Sequence, residues 1–190
     1  MRWMKLVPAL TLVFGLAAAF SARQDAAAQQ ARPKFEDVVK IEFPKDGYSF
    51  TLAEAAQGIK IEYKIIVEQD YEGVIPLPTG PSFHEPAGPS GLHPREKISG
   101  KDQLYCLMDF GLAAPPKEVV KTLKKDTYKH SFEWDGRNWT GPSDFGNAKG
   151  KAFPAGTYEV LVTLRGKLVT DKGQTPYEIT GKTKLVLKEK

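Results

Sequence analysis

Cysteine is all but missing from this chain: Cys106 is the one example in 190 residues, so no intramolecular disulfide can staple the fold and no paired-cysteine redox or metal motif exists. Histidine is scarce too, with His84, His93 and His130 only. His84 and His93 stand in a run rich in proline and glycine, with Glu85 and Glu96 nearby, a spacing that matches no compact set of metal ligands. A 3.6-residue apolar period is almost absent, which argues against a helical bundle. No nucleophile elbow, zinc-protease helix or phosphate-cradling loop occurs, so we expect a non-enzyme with no cofactor and no metal. Charge of one sign is lacking as well. The formal balance of 27 basic and 23 acidic residues gives +4, and removal of residues 1–28 would take these to 24 and 22. A charge so small and so dispersed offers no electrostatic footprint for nucleic acid. The one short basic run, 121–125, is broken by Leu123 and reads as a solvated strand face.

What the chain does have begins with an address. Arg2 and Lys5 precede a nearly unbroken apolar run over 6–20, and small residues follow up to Ala28. These are the three regions of a secretory signal peptide. The run is about 15 residues, shorter than the ~20 a membrane helix needs. Cleavage is expected after Ser21, Ala22 or Ala28, and no membrane span is expected in the mature chain. Residues 29–34, polar and without period, read as a disordered lead-in to one domain over 35–190.

Period-2 alternation dominates that domain. Val39, Ile41 and Phe43 alternate with Lys40 and Glu42, and 44–47 reads as a turn returning the chain to a second short strand at 48–52. Residues 53–57 favour helix but are too few for more than one turn. The cleanest strand is 58–68, where Ile59, Ile61, Tyr63, Ile65 and Val67 share a face; it should be central in its sheet. From 69 to 101, six prolines and five glycines predict one long loop, with at most a short strand at 74–77. Strand character returns at 104–110, where Leu104, Cys106, Met108 and Phe110 share parity, so Cys106 reads as a small buried hydrophobe. Further strands are expected at 117–124, 128–134, 157–170 and 175–187, the last two joined by a hairpin turn at Asp171-Lys172-Gly173, with Gly181 marking a bend or bulge. About eight strands with alternating apolar faces fit a β-sandwich.

The segment 131–165 is the centre of the pattern. His130, Phe132 and Trp134 alternate with polar residues, and Asp135-Gly136 breaks the strand. Beyond a loop, Pro154-Ala155-Gly156-Thr157-Tyr158 opens a strand whose Tyr158, Val160, Val162 and Leu164 face one way, while Glu159, Thr163 and Arg165 line a wet face. The set Trp134, Asp135, Gly136, then Gly156 and Tyr158 resembles the immunoglobulin-like domain of the bacterial flagellar hook-capping protein, and similar modules of secreted bacterial proteins, over about 116–188. The resemblance implies an immunoglobulin-like β-sandwich in which those five residues are structural. On it, Trp134 should be buried and Gly156 should be a backbone requirement of its turn.

Function is expected in the loops. Tyr71, Phe83, Trp139 and Phe145 fall outside the strand alternation and are candidate contacts for a protein or polysaccharide partner. Asp135, Asn138, Asp144 and Asn147 offer oxygen ligands without the acidic density of a calcium loop, so Asx-type turns are expected. Asn138-Trp139-Thr140 is also a glycosylation sequon. The expected function is an exported binding or scaffolding module of the bacterial cell envelope, periplasmic or extracellular. A carbohydrate-binding module using the loop aromatics is the alternative, and a hydrolase assembled from the long loop is the distant one.

Overall fold

Eleven strands in two sheets organise the computed structural model, which describes residues 32–76, 90–106, 118–140 and 150–190 and leaves the side chains of Cys106 and Thr140 aside. The readings of residues 1–31 as a signal peptide, of Phe83 and Phe145 as contacts, and of the Cys106 side chain as buried lie outside the described residues. The chain divides at Pro33/Lys34, and the unit Lys34–Lys190 carries all elements below. It is all-β apart from a helical turn at Phe35–Val38 and a short helix at Leu52–Gln57. Among the described residues no helix is long and apolar enough to cross a membrane.

The smaller sheet is antiparallel, in the order β1 (Val39–Glu42), β3 (Ile59–Val67), β8 (Asp126–Trp134). The central position of β3 follows from its sequence, because Ile59, Ile61, Tyr63, Ile65 and Val67, which share one face, all lie at 4% exposure or less. Each such side chain contributes about 1.5–3 kcal/mol relative to exposure. The larger sheet runs β2 (Gly47–Thr51), β11 (Gly173–Lys188), β10 (Gly156–Thr170), β5 (Pro94–Ser99), β6 (Leu104–Cys106), β9 (Trp139–Thr140), with β4 (Tyr71–Pro76) also on β10 and β7 (Lys121–Leu123) on β4. One hydrophobic core joins residues of both sheets.

Its spine is the β10–β11 hairpin, paired without interruption from Gly156↔Leu187 to Thr170↔Gly173. No described non-glycine residue has a positive φ and Gly173 has φ 108°. A tight turn over Asp171-Lys172 with ordinary φ values, followed by a glycine of positive φ, matches a type I turn with a glycine bulge. The expected bend at Gly181 is not there. Its pairing with Val162 is regular, and a Cβ at 181 would lie 2.4 Å from Ile41 Cγ2. The glycine is what lets β1 approach β11. Thr163 is a second correction: it is 6% exposed, so the outer face of β10 is covered at its centre.

Three further expectations change. Residues 43–46 do not fold β2 back on β1. They carry the chain from one sheet to the other, where β2 runs parallel to β11 with Tyr48 opposite Leu185. The helix at Leu52–Gln57 is held by a capping box: Thr51 Oγ1 accepts from Glu54 N at 3.1 Å, and Glu54 Oε2 accepts from Thr51 N at 2.7 Å. Two such bonds offset the nucleation cost that so short a helix otherwise carries. The parity at β6 is reversed: Tyr105 is buried and Leu104 is 39% exposed.

The long loop expected over 69–101 holds two strands. β4 lies against β10 with Pro76 opposite Gly166, and β5 lies on the same edge with Pro94 opposite Leu164. Both run antiparallel to β10. They are two stretches of one lane in the sheet, interrupted opposite Arg165, and residues 77–93 lie between them. A proline at each side of the break lacks the amide that the ladder would require.

Candidate functional site

Two built corners flank the core. The first joins β8 to β10. Trp134 is 2% exposed, as expected, and packs edge-on to Phe153 with ring centroids 4.7 Å apart. Its indole Nε1 donates to Arg137 O at 3.0 Å, which satisfies the polar end of a buried ring. Asp135 Oδ1 accepts from Arg137 N at 3.3 Å, an Asx turn of the expected kind, and Gly136 takes φ 74°. A Cβ there would lie 3.1 Å from that of Ala55. Tyr158 is buried and its hydroxyl donates to Pro154 O at 2.6 Å. Gly156 is not in the left-handed region. A Cβ at 156 would instead meet the Tyr158 hydroxyl at 3.3 Å, so the glycine leaves room for that bond rather than satisfying a turn's φ.

From this corner a loop is built outward. Arg137 bridges Ala152, Asn138 N donates to Lys151 O at 2.9 Å, and Gly150 N donates to Asn138 O at 2.7 Å. Asn138 Oδ1 accepts from Leu104 N at 2.9 Å, which ties the loop's stem to β6. Residues 141–149, with Asp144, Phe145 and Asn147, lie outside the described residues. Trp139 sits on β9 beside Tyr105, half-buried and packed against the core.

The second corner is where β5 enters the sheet. Tyr63, on β3, donates through its hydroxyl to Glu96 Oε1 on β5 at 2.6 Å. Burial first, then the Glu96 carboxylate, pushes the phenol far above its ordinary pKa, so it stays a donor. The ring of His130 lies flat on that of Tyr63, centroids 5.4 Å apart. Its Nε2 is 3.2 Å from Ser90 Oγ, which also accepts from Leu92 N at 3.2 Å. Burial holds His130 below the usual imidazole pKa. His93 is lowered by burial and then by Lys121, whose Nζ donates to Gly91 O at 3.2 Å. His130 is thus a half-buried ring with a polar partner at Nε2.

This corner can position a backbone; its geometry favours that over chemistry. Ser90 is 6% exposed and its hydroxyl serves two neighbours at once, whereas a nucleophile needs an open approach. Tyr71, expected as an exposed contact, is 5% exposed and stacks edge-on to Phe35, centroids 4.9 Å apart. It is a core residue, because β4 is a strand and turns it inward. Among the described residues no cluster of three or more His, Cys, Asp or Glu side chains is poised for a metal. Ser90 and Glu96 were hidden to sequence reading by the proline content around them. The signal that points to them is Leu92 and Ile98, two isolated apolar residues in a polar run, both at 1% exposure or less.

A scan against protein-family models matches none to this chain, and a search of curated proteins finds no match either.

Proposed function

We propose that this chain is an exported, non-catalytic module of the bacterial cell envelope that binds or scaffolds a protein or polysaccharide partner, on an immunoglobulin-like sandwich. The strand order supports the fold. The orders β1-β3-β8 and β2-β11-β10-β5-β6 are those expected if these strands are A, B and E and A′, G, F, C and C′ of such a sandwich. Tyr158, near the start of β10 and bonded four residues back to Pro154 O, supports it independently, because a tyrosine corner at that strand is a mark of such sandwiches. Export rests on the pattern of residues 1–28.

One observation carries the binding role: the chain leaves the lane of β4 at Pro76 and re-enters the same lane at Pro94, beside an unbroken β10. The break leaves the pairing of β10 with β11 unaltered, and segments that join strands of a rigid scaffold are where partner contacts concentrate. Deleting residues 79–88 keeps Ser90 to Leu92 in place and tests this. Cross-linking in envelope fractions should recover the partner with the intact protein and not with the deletion. Equal recovery by both proteins defeats the reading.

A further inference from the structure

We propose that the outer edge of β8 is a self-association surface, on which a second copy of this chain pairs antiparallel about a two-fold axis centred on Ser131. β8 ends the smaller sheet, and among the described residues it has no second strand neighbour. Its edge runs over nine residues, free of proline and glycine, in unbroken register with β3 from Val67↔Asp126 to Ile59↔Trp134. Edges of that length are normally blunted by bulges, prolines or inward charges, and an unblunted one is a template for another strand.

Charge selects the occupant. Lys129 stands directly across from Lys64; Glu42, opposite Lys64 on its other side, offsets that lysine and is one strand further from Lys129. Lys60, across from Glu133, is held by Glu62 at 3.1 Å. Lys129 and Glu133 form no ion pair of their own among the described residues, and both are exposed on the outer face. In an antiparallel pair centred on Ser131, Lys129 of each copy falls opposite Glu133 of the other. One register thus creates two identical ion pairs and no like-charge contact, as an isologous interface requires. On the inner face, half-buried His130 and Tyr128 fall opposite Phe132 and Trp134 of the second copy. Tyr105 donates to Glu133 O at 3.3 Å, which leaves that carbonyl a second lone pair for the new ladder.

The test is sedimentation equilibrium of the purified protein over a range of concentrations and salt. A dimer is expected, weakened by salt. Lys129→Glu and Glu133→Lys should each raise its Kd by roughly tenfold or more, since each turns two attractive pairs into repulsive ones. The double swap restores opposite charges and should return the Kd to within about threefold of the parent. This recovery is specific to self-pairing; a different partner chain would not be regained by it. The proposal is overturned by a protein that stays monomeric, by single reversals that leave the Kd unmoved, or by a double swap that does not recover. Slow amide exchange along β8 in a monomeric sample would overturn it too, because the edge would then be covered within the chain.

Discussion

Trp134 ends β8 with its ring against Phe153 and its indole nitrogen on Arg137 O, so truncation removes both a core volume and a turn contact. Trp134→Ala should cost about 3–5 kcal/mol in chemical denaturation, and a loss under about 1 kcal/mol would mean that the corner does not hold the sheets together. His130 sets a pH dependence. Its folded pKa lies below the ordinary 6.5, as does that of His93. The unfolded chain therefore takes up protons first as pH falls. The stability these groups contribute is complete above about pH 6.5 and is lost as pH drops below it toward the folded values. Urea midpoints should fall between about pH 7.5 and 5.5, and His130→Gln should flatten that fall; an unchanged slope would remove His130 as its source. At this scale the sequence showed faces well and covers poorly. Parity placed Phe132, Trp134, Tyr158 and Val160 inward, where they are. It could not show that Thr163 on the opposite face is also covered, or that Tyr71 is enclosed by Phe35 and a strand, because what covers a residue comes from distant parts of the chain.

Elements were legible where a strand buries several alternate residues of one face. β3, β8, β10 and β11 alternate in sequence as they do in burial. β4 and β5 were not, because the lane they share is broken by a long excursion and flanked by prolines. The parallel partnership of β2 with β11 was hidden for another reason: its pairing joins residues such as Tyr48 and Leu185, which no local pattern reports. Gly181 belongs to this scale, since it sets how near β1 comes to β11. Gly181→Ala puts a Cβ at 2.4 Å from Ile41 Cγ2 and 3.1 Å from Ile41 O. It should destabilise by about 1–3 kcal/mol, as overpacking does. Adding Ile41→Ala should recover part of that loss, since it removes Cγ2 but leaves the Ile41 Cβ at 2.7 Å and the carbonyl in place. Losses that simply add would argue against the contact.

For the molecule as a whole, the break between β4 and β5 separates stability from reach. Deleting 79–88 should leave the melting temperature nearly unchanged, since the closure entropy of a connecting segment changes only slowly with its length. A cut extended through Leu92 removes Ser90's bonds and a side chain at 1% exposure, and should cost about 2–5 kcal/mol more. Thermal melts of the two deletions side by side decide this; equal losses would place the whole segment in the core.

The parallel pairing of β2 with β11 has a mechanical consequence. β2 comes early in the unit and β11 closes it, and they lie side by side over five paired positions, from Gly47↔Lys184 to Thr51↔Lys188. When the two ends of the unit are pulled apart, parallel strands so arranged slide lengthwise, and their hydrogen bonds, which cross between the strands, resist together. A hairpin opened from its ends would yield one bond at a time. The same short strand that stitches the N-terminal segment onto the larger sheet is thus a shear clamp, set where tension applied to the ends of the unit would first arrive.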